Sequence, residues 1–485
     1  MANRALLSAP RPERKGQGWH EPSWLSLPAS ILFSRERRME ASTYLSGGYG
    51  IQLAIEAQQS QRVRLDELAR IWQPSRLKGI QVSREYGFPF LAATQVFDVR
   101  PTPRKYLALD RTRDSDQLFV NPGQILVTRS GTVGRSILAY ACHEGVVISD
   151  DLLRVDPVDP TVCGWVYGYL RSDQARAMMT SAQYGHVIKH LEPGHLGSLP
   201  VPVPSVRLAA EFDRIRVQIV RARDEAWKAQ LEAEALLSSA VGRVTTVANA
   251  ERGFSVSASE IFYGRRRLEA SFHAPTATSV LAQFAKRRLK CELLSTVCDR
   301  VWWLTRFKRV FGDGGEPYLS ADELFSLNTT GLKRVLVEQA DNPEAYRVKA
   351  GWIVMACSGQ TYGLNGSVSF MTEEHEQAFF SHDLVRIIPN LEAIDAGYLY
   401  TVLGHPELGR PLVIRNAYGT SIPHLDPADV AAIPIVRLGK ERESEIGALM
   451  MHSVKMRAEA GVLERMISDK ATREINIFLS GKPLN

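Results

Sequence analysis

Between Leu208 and Val241 apolar residues recur at alternating steps of three and four. Phe212, Ile215, Ile219, Ala222, Ala226, Ala229, Ala233, Leu236 and Ala240 carry this seam, while Arg216, Arg221, Arg223, Glu225, Lys228 and Glu232 fall on other faces. A mean spacing of 3.5 keeps one stripe turned toward one partner, so the pattern predicts a long helix that pairs with another helix. The alanines in its middle leave room for close approach. At ~1.5 Å per residue, Phe212 to Ala240 makes a rod of roughly 40 Å. Taken alone, the stretch also suits an ordinary bundle helix.

Self-comparison of the chain favours the paired reading. Residues 29–42, from Ala29-Ser30 through Arg37-Arg38-Met39-Glu40-Ala41-Ser42, return at 258–271, ending Arg266-Arg267-Leu268-Glu269-Ala270-Ser271. Gly87-Phe-Pro-Phe-Leu-Ala-Ala returns as Gly315-Glu-Pro-Tyr-Leu-Ser-Ala, and Gly123 to Gly134 returns as Gly351 to Gly363. Ser149-Asp-Asp-Leu-Leu-Arg-Val is echoed by Ser381-His-Asp-Leu-Val-Arg-Ile. Tyr184-Gly185, Ile188, His190-Leu191 and Pro193 are echoed by Tyr418-Gly419, Ile422, His424-Leu425 and Pro427. The matches are collinear and their offset drifts by only a few residues, which marks a duplicated domain. A second seam, Ile446, Leu449, Ser453, Met456, Ala460, Leu463 and Ile467, follows the second copy as the first seam follows the first. Two seams with a globular domain between them close most simply as an antiparallel pair.

Within each copy, Gln124-Ile-Leu-Val-Thr and Trp352-Ile-Val-Met-Ala read as strands that exit through Ser-Gly, and Leu152–Val155 and Leu384–Ile387 as further strands. Val166–Thr180 and Ala396–Leu403 read as helices. The expected fold is therefore α+β: two duplicated, strand-rich domains separated by two long antiparallel coiled-coil spacer helices. The boundaries are a leader at 1–26, domain one at 27–205, helix one at 206–250, domain two at 258–437 and helix two at 438–476. The leader carries Arg4, Arg11, Arg14 and Lys15 without the apolar core of a signal peptide.

Charge and cysteine content narrow the setting. A formal charge of +6 leans toward an acidic partner such as nucleic acid. Five cysteines, Cys142, Cys163, Cys291, Cys298 and Cys357, are an odd number without a Cys-x-x-Cys pair, which suits a reducing cytoplasm rather than a disulfide framework. No apolar run reaches the ~20 residues of a membrane span.

Catalytic signatures are missing from the sequence: a Gly-x4-Gly-Lys-Ser/Thr loop, a Gly-x-Ser-x-Gly elbow, His-Glu-x-x-His, and the Asn/Asp-Pro-Pro-Tyr/Phe motif that a self-contained methyltransferase needs. Asp313-Gly314-Gly315 reads as a turn. His186, His190 and His195 are spaced for a metal on a helix, but Gly185, Pro193 and Gly194 interrupt one, and the second copy keeps only His424. Basic residues among aromatics carry more information. Trp72, Arg76 and Lys78 share their spacing with Trp302, Arg306 and Lys308, and such cations bind phosphates or read guanine edges. A core-anchored Trp beside a solvated basic strand is the plainer alternative. At the Ser-Gly loops, Arg129, Ser130, Thr132 and Arg135 stand opposite Cys357, Ser358, Gln360 and Thr361. The glycine frame is kept while the polar residues change, as at Lys189/Pro423 and Val187/Ser421.

These features together resemble the specificity subunit of type I restriction–modification systems. The resemblance runs from about residue 27 to 476. Its carriers are Gly123-Gln-Ile-Leu-Val-Thr-Arg-Ser-Gly-Thr-Val-Gly134, Tyr184-Gly185 to Leu191, the Leu199-Pro-Val-Pro-Val-Pro204 exit, the helix beyond it, and the repetition of the unit. The family's first spacer helix often opens with Pro-Pro-Leu-x-Glu-Gln, whereas this one opens Pro204-Ser-Val-Arg-Leu-Ala-Ala-Glu211, which points to a divergent branch. The resemblance implies a non-catalytic chain whose two target-recognition domains read a bipartite site in double-stranded DNA. Its helices would space the domains and dock adenine methyltransferase subunits, with or without an ATP-driven translocase. S-adenosylmethionine would then bind the partner, leaving no cofactor in this chain. The DNA-contacting candidates are Arg76, Lys78, Arg129, Ser130, Arg135, Lys189 and His190 in the first copy. In the second they are Arg306, Lys308, Ser358, Gln360, Ser421 and His424. A rod of ~40 Å matches about 12 base pairs at ~3.4 Å each. A structural adaptor that holds proteins rather than DNA is the competing reading.

Overall fold

The computed structural model describes residues 26, 29, 41–45, 47–182, 190–245, 253–263, 266–329 and 331–484. The leader to residue 25, most of the 29–42 repeat, and Tyr184 to Lys189 lie outside the described residues. The chain divides into two compact units. One holds Pro101–Asp224 with the residues before Asp98 and after Ala458, and the other holds Glu225–Ala458 with Asp98–Arg100.

In the first unit, strands β1 (Ala69–Trp72), β2 (Ile125–Thr128), β3 (Ser136–Leu138) and β4 (Leu152–Pro157) form one antiparallel sheet in the order β1-β4-β2-β3. Leu126 lies opposite Arg154, and Val127 opposite Leu153. Apolar residues on both sides of β2 are fully buried, as a continuous Ile-Leu-Val run requires when both sheet faces are covered. Helix α1 (Cys163–Arg171) seats this sheet on helix α2 (Val206–Val241). Gly164 makes the approach possible, because a β-carbon there would lie 2.3 Å from the Phe212–Asp213 backbone. The Trp165 ring meets Phe212 edge-on at 5.0 Å.

The second unit repeats the plan. Strands β5 (Cys298–Trp302), β6 (Ile353–Ala356), β7 (Val368–Phe370) and β8 (Leu384–Pro389) stand in the order β5-β8-β6-β7, with Val354 opposite Arg386 and Met355 opposite Val385. Helix α3 (Ala396–Gly404) rests on helix α4 (Lys440–Leu479), where a β-carbon on Gly397 would lie 2.5 Å from the Gly447 carbonyl. Both units also carry a short parallel pairing, Phe90–Leu91 with Val147–Ile148 and Tyr318–Leu319 with Phe379–Phe380. A two-stranded ribbon leads into each long helix, Arg62–Arg64 with Pro200–Pro202 and Lys290–Leu293 with Pro434–Arg437.

Each long helix contributes to both units. In the first unit the two run antiparallel, since the Ser205 amide reaches the Leu484 carbonyl, Glu211 pairs with Lys470 at 3.0 Å, and Arg223 pairs with Glu464 at 2.6 Å. In the second unit, Ser453 Oγ donates to the Ala226 carbonyl at 2.6 Å. The seam from Phe212 through Ala233 is buried as the periodicity predicts. Beyond Ala233 it moves to Leu237 and Val241, which join the second unit's core, while Leu236 and Ala240 are half-buried.

Several sequence expectations are corrected. Arg223 does not fall on a face apart from the seam but is buried in the helix pair, where it neutralises Glu464. Helix α2 ends at Val241 instead of 250. Gly242, at φ +80°, takes the left-handed position that stops a helix, with its amide on the Ser238 carbonyl. Helix α4 runs past 476 to Leu479 and ends ahead of Gly481, at φ +88°. The expected helix 166–180 breaks at Ser172, whose Oγ accepts from the Ala175 amide and starts Asp173–Ala182 as a new helix. Asp313-Gly-Gly315 is not a turn but part of strand Phe311–Leu319, bulged so that Phe311 and Glu316 both face Val335. Among the described residues no helix is long and apolar enough to cross a membrane.

The buried Arg223–Glu464 pair generates a test. Burial alone pushes the Glu464 carboxyl up, but the Arg223 and Arg171 guanidiniums and the Tyr140 hydroxyl outweigh it and hold it below its ordinary value. Replacing Arg223 by Met strands a buried carboxylate and is expected to cost about 3–5 kcal/mol in denaturant unfolding. The double variant with Glu464→Met recovers much of that loss. A carboxyl with a lowered folded pKa stabilises above its unfolded value of 4.5 and loses that contribution as pH falls through the folded value. The difference between wild type and double variant is therefore expected to shrink below pH 4.5.

Candidate nucleic-acid interface

Most of the described candidate residues gather at the same end of both sheets, where a buried arginine in a central strand holds the loops in place. Arg154 in β4 and Arg386 in β8 are fully buried. Arg154 donates to the carbonyls of Ile148, Ser149 and Leu152, and Arg386 to those of Ser381, Leu384 and Tyr346. Burial lowers both guanidiniums to about 10, so they stay charged at neutral pH. Each fixes the loop ahead of its strand: Ser149-Asp150-Asp151 in one unit and Ser381-His382-Asp383 in the other.

Next to that loop, β2 runs into the Ser-Gly loop. Gly131 and Gly134 take positive φ, and the Thr128 hydroxyl closes the loop by accepting from the Arg135 amide and donating to the Thr132 carbonyl. Ser130 bridges to His190, and the Leu191 amide donates to the Arg129 carbonyl. The Arg129 guanidinium pairs with Glu192 at 2.7 Å and Asp151 at 3.8 Å. Three expected residues, Arg129, Ser130 and His190, are thus brought together. Arg135 is not part of this group, since its guanidinium stacks on the Phe97 ring at 4.1 Å. Lys189 lies outside the described residues.

The second unit clasps its loops the same way. Ser358 bridges to His424, and the Leu425 amide donates to the Cys357 carbonyl. Ser358 Oγ lies 2.9 Å from His424 Nδ1 and 3.3 Å from an Asp383 oxygen. Gln360 Nε2 donates to the Ser421 carbonyl at 2.9 Å, and buried Asn365 donates to the carbonyls of Gly359 and Pro423. Ser358, Gln360, Ser421 and His424 therefore form one surface. Ser, His and Asp meet here, but Asp383 contacts the serine rather than supporting the imidazole, so the order differs from that of an activated nucleophile. The Cys357 thiol beside it is buried and pushed up to about 12, which keeps it a thiol.

Exposed cations flank both clasps. Arg76 and Lys78 are exposed on the connection after β1, which is tied down where Gln73 donates to the Asp150 carbonyl at 3.1 Å. Arg306 and Lys308 are exposed on the connection after β5, anchored by Phe307 against Tyr346 and Phe379. The two tryptophans are anchors: Trp72 donates to Asp156 at 2.7 Å, and Trp302 meets Trp352 edge-on. The tryptophans are thus half-buried anchors rather than core residues, and the exposed cations lie on connections rather than on a strand.

Sequence reasoning placed Arg309 in the basic cluster with Trp302, Trp303, Arg306, Phe307 and Lys308 but assigned no role to Asp150, Asp151, Glu192, His382, Asp383 and Asn365. The Ser149-Asp-Asp and Ser381-His-Asp echoes were the available signal, because they repeat next to a repeated arginine. Among the described residues no group of His, Cys, Asp and Glu is arranged to hold a metal ion.

No family model and no curated protein matches the chain. Solved structures do. A type I restriction–modification S subunit from M. genitalium is 15% identical over 88% of this chain and 96% of its own, with a TM-score of 0.29. The HsdS subunit from Thermoanaerobacter tengcongensis is 14% identical over 87% and 95%, with a TM-score of 0.25. A chain from a structure of type I R-M complex assembly is 16% identical over 85% and 97%, also with a TM-score of 0.25. None of these likenesses carries a residue role across to this chain.

Asn365 tests the clasp. Replacing it by Ala removes two hydrogen bonds and leaves the Gly359 carbonyl without its donor, while the Pro423 carbonyl keeps the Gly359 amide, at an expected cost of about 1–3 kcal/mol in unfolding experiments. Faster amide hydrogen exchange at Leu425 and Gly359, whose partners lie across the clasp, is the accompanying local change.

Proposed function

We propose that this chain is the DNA sequence-specificity subunit of a multi-subunit restriction–modification or related defence complex. The observation that supports it most is the repeated clasp, built twice on the same strand order and flanked each time by exposed cations. Each unit acts as a target-recognition domain, corresponding to 27–205 and 258–437, and reads one half of a bipartite site. Helices 206–241 and 440–479 act as the antiparallel coiled-coil spacer, and their outward faces dock adenine methyltransferase subunits. Rigid loops that present side chains from a fixed frame suit base readout, which demands placement of three or four groups in a groove. Methyl transfer belongs to the partner, which binds S-adenosylmethionine, and cleavage belongs to an ATP-driven translocase where one is present. The complex works in the cytoplasm, where its DNA is.

The test is a salt titration of duplex DNA binding by the full chain with its methyltransferase. Alanine at Arg76, Lys78, Arg306 or Lys308 is expected to flatten the slope of log K against log salt by about one unit for each DNA phosphate that the variant leaves unneutralised. Binding that keeps its slope in all four variants contradicts the assignment. An absence of DNA binding in the wild-type complex would favour the adaptor reading.

A further inference from the structure

Among the positions at which the two clasps differ, one exchanges a carboxylate for an imidazole. Asp150 in the first unit matches His382 in the second, each one residue after a serine and directly ahead of an aspartate. Asp150 supplies an internal anion. Its carboxylate lies in the fields of Arg76 and buried Arg154.

An imidazole occupies that place in the second unit. His382 is only 7% exposed, and neither ring nitrogen has a hydrogen-bond partner among the described residues. Its Nε2 lies 3.4 Å from the Asp383 carboxylate. The charged groups that face it are Arg306 and Arg309 from the connection after β5, Arg386 from β8, and Asp383 beside it, with the Phe307 ring edge-on at 6.0 Å. Asp383 is already engaged by the hydroxyls of Ser358 and Ser381. Three guanidiniums therefore act on a buried ring that offers no charge of its own, where the first unit holds a carboxylate.

We propose that Arg306, Arg309 and His382 form an anion site of the second unit that takes a backbone phosphate of DNA, in the place that Asp150 fills from within the chain in the first. The assignment rests on the DNA-reading function proposed above. Inorganic phosphate shares the same chemistry and serves as a probe independent of DNA.

Occupancy is coupled to a proton. Burial, and then Arg309, Arg306 and Arg386, hold the imidazole below its ordinary value of 6.5 against the opposing pull of Asp383, so the free site carries a neutral ring. An arriving phosphate offsets those cations and accepts a hydrogen bond, both of which favour the imidazolium. Binding then takes up a proton. Affinity rises as pH falls through the value of the occupied site and levels off once the free ring is also protonated.

The experiment measures duplex DNA affinity of the full chain between pH 8 and pH 5.5, together with the shift of its melting temperature by inorganic phosphate. The proteins compared are wild type, His382→Gln, His382→Asp and Arg309→Ala. His382→Gln is expected to lose the proton-linked part of the gain seen in wild type. His382→Asp, which copies the first unit, should bind more weakly at neutral pH with a salt slope about one unit flatter. Arg309→Ala tests the same site from an exposed position; its guanidinium also donates to the Tyr318 hydroxyl at 3.4 Å, so the melting temperature without phosphate checks that the fold is kept. Phosphate should stabilise wild type and leave His382→Asp unmoved. DNA binding that is unchanged in all three variants overturns the site while leaving the DNA-reading function intact. Phosphate stabilisation through His382 without any DNA binding keeps the site and overturns that function.

Discussion

A guanidinium in the middle of a sheet is costly unless acceptors surround it, and both units depend on supplying them. The Nη groups of Arg154 and Arg386 donate to main-chain carbonyls of the loop just ahead of their own strand and of the strand's first residue, while both Nε groups stay without an acceptor among the described residues. The loop is thereby held against the sheet, and with it the acids that reach across to the Ser-Gly loop. Asp151 meets Arg129, and Asp383 meets Ser358. The polar surface at the sheet end is thus an extension of the core. Its side chains are positioned before any ligand arrives, which lowers the ordering cost of recognition.

The long helices impose the second constraint. Neither stripe is stable in water, so the helices cover each other and each takes a globular unit onto its N-terminal half. Gly164 and Gly397 set how closely those units sit on α2 and α4, respectively. The charged pair Arg223–Glu464, like the Ser453–Ala226 hydrogen bond, adds directional bonding inside a seam that is mainly apolar. A buried ion pair is a weak source of net stability, but it penalises any register in which the partners separate.

Much of this was legible in the sequence because it is periodic or repeated. The seam from Phe212 to Ala233, the second seam around Ile446–Ile467 and the paired strands ahead of each Ser-Gly loop all follow from spacing alone. Positions that escaped depend on contacts between distant segments. Arg223 looks like any helix-surface charge until Glu464 lies opposite it. Ser172 reads as a residue inside a helix until its hydroxyl caps the next one. Asp313-Gly-Gly315 has turn composition, yet Gly315 is needed where the Val335 backbone crosses at close range. The candidate site was partly visible for the same reason. Ser130, His190, Ser358 and His424 belong to the repeat, whereas Asp150 and His382 acquire meaning only from the cations that the fold gathers around them.

The most direct measurement is a map of N6-methyladenine in DNA from cells that express this chain with its methyltransferase, set against cells with the methyltransferase alone. The proposed function, in which each unit reads one half of a bipartite site, predicts methylation, present only with this chain, in a single motif of two specified parts separated by a fixed number of unspecified base pairs. Methylation that does not depend on the chain, or that marks one contiguous motif, would contradict it.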